Sequence, residues 1–353
     1  MKTLISNGTA FKDDKMNVES GMSKNILSAR HFFVVNPACF DNRRKMESEI
    51  SKVHRFFNGL VNSKQCEPPD YAVHISRFPR DAISTIKRFA NAVSGAVPLR
   101  VYAVGGDSIL FDCLNGVVGL PNVELGFIPY GKKNKTYPIF GGNNKDVFSS
   151  LKAQISAHSV PMDALYCGSN YALNHCLIGL EAFFRNNIKR ICGRCSFLDK
   201  YVSSLTQVLG SNSLHLASIN NFEIFKQSYR IWMDDEIING TYAFINITNS
   251  SCCAGNKKYA IKEASPTDGW LNVLISSEMT ARNFHKLLSK YIKGDYEKHP
   301  DLFIYRRVKK IFLISDNPMI LSLDGEIFYD KYIAVEIKPE VVRIIDPTQI
   351  QQE

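Results

Sequence analysis

Two glycines and an aspartate at the end of an apolar run, Val101-Tyr102-Ala103-Val104-Gly105-Gly106-Asp107, are the residues of this chain best suited to chemistry. Gly105 and Gly106 give the backbone freedom to turn tightly and let a ligand approach it closely. Beyond Ser108, the residues Ile109, Leu110, Cys113, Leu114, Val117 and Val118 recur at helical spacing. A helix N-terminus therefore faces the glycines, with free N–H groups and the positive end of its dipole, and that suits a phosphate. The same residues equally make a plain strand-to-helix turn with no ligand. A second polar stretch, Gly131-Lys132-Lys133-Asn134-Lys135, follows another short strand pattern. Its lysines suit phosphates as point charges, and a solvated basic loop is the alternative.

The elements that must position these residues follow from periodicity. His31–Val35 reads as a strand ended by Asn36-Pro37, and Arg43–Phe57 as a helix. Tyr71–Ile75 is the next strand. Pro79 starts a helix with Ala82, Ile83, Ile86, Phe89, Ala90 and Val93 on one stripe. The glycine-bearing strand, its helix and the strand Val123–Ile128 complete a β-α-β-α-β-α-β alternation. That order predicts a three-layer α/β domain over residues 30–160, a parallel sheet with helices on both faces. Ligands of such sheets bind outside the carboxyl ends of the strands. The loops at Asn36, at Gly105–Asp107 and at 129–135 should converge there.

Residues 1–29 read as a loosely ordered polar tail. Beyond residue 160 the runs Tyr171–Cys176, Tyr229–Met233, Thr241–Ile247, Leu271–Ile275, Lys310–Ile314 and Ile333–Ile337 are β-rich, with one amphipathic helix near Thr280–Ile292. They predict a β-sandwich-like domain over 161–353, its last strand free to return to the first domain.

Composition narrows the partners. The 353 residues carry a formal net charge of +9 with 45% apolar residues, the balance of a globular protein drawn to phosphates or anionic surfaces. No run reaches the about 20 apolar residues of a membrane span, and no signal peptide is legible, so a cytoplasmic protein is expected, one whose membrane role, if it has one, is peripheral. Nine cysteines at irregular spacing suit a reducing compartment, with Cys192-Gly-Arg-Cys195 read as a reduced loop. Nucleic-acid binding would rest on charge alone and is not expected. The oligomeric state stays open, a homodimer among the alternatives.

The order of motifs resembles the diacylglycerol kinase catalytic family, which includes bacterial lipid kinases, sphingosine kinases and ceramide kinases. Asn36-Pro37 is similar to its opening Asn-Pro, and Gly105-Gly106-Asp107-Ser108-Ile109-Leu110 with Asn115-Gly116 to its G-G-D-G-T-L…N-G loop. Leu125–Lys135 resembles its L-G-I-I-P-x-G-T-G-N-D. Pro161-Met162-Asp163, Asn174 with Ile178-Gly179, Asp268-Gly269-Trp270-Leu271 and Asp324-Gly325-Glu326 resemble its later motifs, so the likeness runs over residues 31–347. Four positions differ from the pattern: Ser108, Ile109, Lys133 and Lys135.

The resemblance implies an ATP-dependent, Mg²⁺-requiring kinase that phosphorylates a lipid hydroxyl at a membrane surface. It implies that Asn36, Gly105, Gly106, Asp107, Ser108, Gly131, Lys132, Lys133 and Asn134 hold the nucleotide, with Mg²⁺ on Asp107 and a cation at Asp268. It marks Glu326 as general base, with Asp324 and Asp163 as acidic support that would raise its pKa. Three bland readings stand beside these: Asp107 as an N-cap, Asp268 as a residue that only shapes its turn, and Asp324-Gly325 as a hairpin turn. Arg306, Arg307, Lys309 and Lys310, with Lys257-Lys258, would face an anionic membrane or simply be solvated. The altered glycine loops leave a non-catalytic binding relative as the alternative function. A kinase of NAD or of a sugar phosphate is weaker, given the Asp-Gly-Glu segment.

Overall fold

In the computed structural model the described residues are 29–62, 70–92, 97–130, 145–179, 182, 227–251, 261, 263–278, 286–287, 290–291 and 294–348. The chain divides into two compact units, Met1–Pro161 with Val342–Glu353, and Met162–Val341.

The first unit is built on a parallel sheet. Its strands are β1 (Arg30–Val35), β2 (Tyr71–Ile75), β3 (Leu99–Gly105) and β4 (Val123–Pro129). The end of the final strand joins β4 in parallel through Arg343↔Glu124 and Ile344↔Leu125, giving the order final strand-β4-β3-β1-β2. The helices are α1 (Arg43–Asn62), α2 (Asp81–Ala92), α3 (Asp107–Val117), α4 (Lys145–Ser149) and α5 (Leu151–Ser156). Alternation along β1 sends neighbouring rings to opposite faces. Phe33 stacks on Tyr102 at 4.6 Å and lies beside Phe57 of α1, while Phe32 stacks on Phe89 of α2 at 4.3 Å. Helices therefore cover both faces, and β3 between them is buried along its whole length. α1 turns Met46, Val53, Phe57 and Leu60 into the same core. Pro79 does not start α2. Arg80 has φ 71°, which a helix cannot contain, so the helix begins at Asp81.

A buried cation ties this sheet to the C-terminal end of α5. Arg100, 3% exposed, donates to Glu124 Oε2 at 2.6 Å and to the carbonyls of Ile155 and Ala157 at 2.6 and 2.5 Å. Charge and donors are both answered, which is the condition for burying a guanidinium.

The second unit is antiparallel and sandwich-like. It holds β6 (Asn170–Ala172), β7 (His175–Gly179), β8 (Gln227–Met233), β9 (Glu236–Tyr242), β10 (Phe244–Thr248), β11 (Leu271–Ser276), β12 (Phe303–Val308) and β13 (Lys310–Leu323). Two more strands, β5 (Ser159–Cys167) and β14 (Glu326–Ile345), run through both unit boundaries. The order is β12-β11-β10-β7-β13-β14, with β8 and β9 continuing from β13. β13 pairs with β7 through Leu321–Leu323 and with β8 through Ile311–Ser315, a register shift lying between Ile314 and Met319. That bulge lets one long strand pair with β7 near its end and with β8 near its start.

Several expected strands change length. Tyr171–Cys176 is two strands, broken at Leu173-Asn174, and Thr241–Ile247 breaks at Ala243. β13 and β14 extend far beyond Lys310–Ile314 and Ile333–Ile337. Of the helix expected near Thr280–Ile292, the described residues 286–287 and 290–291 are helical. Of the residues 1–29 expected as a tail, only Ala29 is described, and it is buried. Among the described residues no helix is long and apolar enough to cross a membrane.

Candidate functional site

In the first unit, the carboxyl ends of β1, β3 and β4 come together through backbone hydrogen bonds. Asn36 N donates to Val104 O at 3.0 Å, and Tyr130 N donates to Gly105 O at 2.7 Å. The three loops expected to converge thus do so for their described residues. Gly131, Lys132, Lys133, Asn134 and Lys135 lie outside the described residues, as do Lys257, Lys258, Cys192 and Cys195.

Gly105 takes φ 151°, and a Cβ there would meet Ile109 Cγ2, Asn36 Cβ and Cys39 Sγ at 3.0–3.2 Å. Ile109 is itself 2% exposed, so the residue that differs from the family pattern forms the floor under the turn. Gly106, not Asp107, is the N-cap of α3, and it makes no side-chain cap bond. Asp107 occupies the first helical turn, where the dipole favours an anion. The expected capping role is therefore filled by the residue before it. Ser108 is exposed beside it. Asn36 accepts from Ala38 N at 3.0 Å and caps a single 3-10 turn, Pro37–Cys39. Asn115 donates back to Phe111 O within α3.

Sequence reasoning missed Cys39. Its Sγ accepts from Gly106 N at 3.2 Å. Burial pushes the Cys39 thiol up, the Gly106 amide pulls it down, and the neighbouring Asp107 charge raises it further. The only signal in the chain was its place three residues after Asn36, on a loop leaving a strand's carboxyl end.

In the second unit, the acids divide into two groups. Asp163, 1% exposed, accepts from Gly269 N at 2.7 Å and from Glu340 N at 2.9 Å. Both donors have left-handed backbones, φ 68° and 50°, so one carboxylate holds two tight turns. Asp268 accepts from Trp270 N at 3.0 Å and from Arg307 Nη2 at 2.7 Å. Asp324 and Gly325, φ 46° and 98°, form the two-residue turn between β13 and β14, as the plain hairpin reading expected. The Asp324 carboxylate accepts from Leu173 N at 2.6 Å, Asn174 N at 3.1 Å and His175 N at 3.0 Å. Glu326 stands next to it, half-buried, opposite Leu323.

The expected acidic support is thus spent on backbone amides. Asp163 and Asp324 act as anchors of loops, because a buried carboxylate is stable only when its lone pairs are answered. Asp268 is neutralised by Arg307. Among the described residues no three His, Cys, Asp or Glu side chains group as a metal ion requires. The basic patch expected to face a membrane is largely paired as well. Arg306 makes a two-pronged ion pair with Glu236 at 2.7 and 2.9 Å. Lys309 donates to Gly269 O and lies 3.7 Å from the Trp270 ring centroid. Lys310 is exposed.

Comparison with known proteins matches both halves. The diacylglycerol kinase catalytic domain matches residues 31–167, and the YegS C-terminal NAD kinase beta sandwich-like domain matches 194–346. A protein of Staphylococcus haemolyticus, provisionally named a lipid kinase, is 25% identical over 280 residues, 78% of this chain and 85% of that one. Another from Staphylococcus aureus, named in the same way, is 23% identical over 253 residues, 69% and 76% of the two chains. The crystal structure of a diacylglycerol kinase from Bacillus anthracis aligns with a TM-score of 0.61 at 16% identity, covering 90% of this chain and 96% of that one, which shows the fold.

Proposed function

We propose, for a chain that belongs to the diacylglycerol kinase catalytic-domain family, that it is a kinase transferring the γ-phosphate of ATP to a lipid hydroxyl. The observation that carries this reading is the turn at the end of β3. A fully buried strand stops at Gly105 in a glycine conformation and delivers the amide end of α3 at the sheet's carboxyl edge. Phosphoryl transfer asks mainly for positioning and charge stabilisation, and a rigid strand with a helix N-terminus supplies both. Gly105, Gly106 and Ser108 would lie along the phosphates, with Asn36 shaping the adjoining loop. Gly131, Lys132, Lys133 and Asn134 would add charge and donors from theirs.

Asp107 fits a magnesium ion, which takes one or two carboxylates and keeps several waters. Bound there, the ion would neutralise charge on the phosphates. Asp268 does not fit one, since Arg307 already holds its charge. Glu326 is the acid left for proton removal from the acceptor hydroxyl, because Asp163 and Asp324 are committed to amides. The acceptor is a lipid hydroxyl by family membership. A peripheral encounter with an anionic bilayer would rely on cations other than the paired Arg306, Arg307 and Lys309.

The test is full-length protein with labelled ATP, Mg²⁺ and a panel of diacylglycerol, sphingosine and ceramide in mixed micelles. Labelled lipid phosphate from one member is the expected product. Tight ATP binding without transfer to any lipid would favour the second reading, a binding or regulatory relative. Two observations favour that alternative: the Gly106 amide is occupied by Cys39, and Ser108 and Ile109 replace residues of the glycine loop.

A further inference from the structure

The turn between β3 and α3 carries a contact that bears on how a ligand enters it. Gly106 N donates to Cys39 Sγ at 3.2 Å, and the same sulfur lies 3.2 Å from where a Cβ on Gly105 would stand. One thiol therefore lies across both glycines. It is held there from two sides. The 3-10 turn that bears it is capped by Asn36, whose own amide is tied to Val104 O. Phe40, the next residue, stacks at 4.1 Å on Tyr130, whose amide is tied to Gly105 O. Sulfur is a weak acceptor, whereas a phosphate oxygen is charged and binds an amide about twice as strongly.

We infer that Cys39 is an autoinhibitory residue of the glycine turn: its thiol closes the Gly106 amide, and a phosphate-bearing ligand must displace it to bind. The inference rests on the nucleotide reading above and adds its regulation. It also gives a direction that a purely structural role would not. Removing a packing residue should weaken binding, but removing an occluding acceptor should strengthen it. One net hydrogen bond corresponds to about fivefold in affinity.

The experiment is calorimetric titration of the full chain and of Cys39→Ala with Mg-ATP and with tripolyphosphate, alongside hydrogen exchange at the Gly106 amide. Binding about fivefold tighter in Cys39→Ala, with faster Gly106 exchange than in the unliganded wild type, is the expected result. Equal or weaker binding in a folded variant overturns the inference. Should the variant not fold, the wild type still decides: a Gly106 amide that exchanges freely without ligand also overturns it. If neither protein binds ATP or tripolyphosphate, the nucleotide reading fails, while the exchange rates still show whether the thiol closes the amide.

Discussion

Asp324→Asn separates the two roles open to the acid beside Glu326. The wild-type carboxylate is 7% exposed and accepts three backbone amides, from Leu173, Asn174 and His175. Asparagine tolerates the left-handed backbone at this position, φ 46°, so the turn itself should persist. What is lost is the charge and one acceptor oxygen, replaced by an NH₂ group that faces donors. Hydrogen bonds to a charged group contribute about 1.5–3 kcal/mol each, and neighbouring bonds to one group do not add fully. A loss of about 3 kcal/mol follows, a large share of the about 5–15 kcal/mol that holds a domain together. In a domain of this size that lowers the thermal midpoint by about 6–12 °C. The chain's two tryptophans, Trp232 and Trp270, both lie in the second unit, so urea unfolding followed by their fluorescence reads this unit directly. A loss of unfolding free energy below about 0.5 kcal/mol would refute the anchoring role. Lost lipid phosphorylation at unchanged stability would move Asp324 into the chemistry.

Glu326→Gln should fold as wild type and lose about 10²–10⁴-fold in lipid phosphorylation while still binding ATP, since general-base assistance has that size; activity retained within a few-fold would remove Glu326 as the base. Gly105→Ala sets a Cβ about 3 Å from Ile109, Asn36 and Cys39 on a backbone of φ 151°. It should destabilise the first unit by about 1–3 kcal/mol and abolish ATP-dependent stabilisation in a melting assay; an unshifted melt would mean that the turn relaxes. Burial alone would raise the Asp81 pKa, but bonds from the Arg77 amide, His74 and the Arg77 side chain bring it below 3.8. A lowered folded pKa contributes stability above the unfolded pKa that is lost as pH falls through the folded one. Asp81→Asn should therefore be less stable than wild type above about pH 4, with the gap closing on acidification, as urea midpoints across pH would show; a gap independent of pH would assign the effect to packing.

The first unit was legible because its information is local. The run ending at Val104, the two glycines and the helical spacing after Ser108 sit within a few residues of one another, and local periodicity is what a strand or helix responds to. In the second unit β13 runs well past the expected Lys310–Ile314, although Asp316, Asn317 and Pro318 are turn-forming residue types. In the structure they lie in the interval of the register shift between Ile314 and Met319, and the strand continues. The acids show the same limit. Their residue types were visible, but the amides that claim Asp163 come from Gly269 and Glu340, and those that claim Asp324 come from Leu173, Asn174 and His175. Cys39 meets Gly106 from 67 positions away. Sequence spacing carries propensity along the chain. Which distant amide a buried carboxylate or thiol must satisfy is decided only when packing removes water from both.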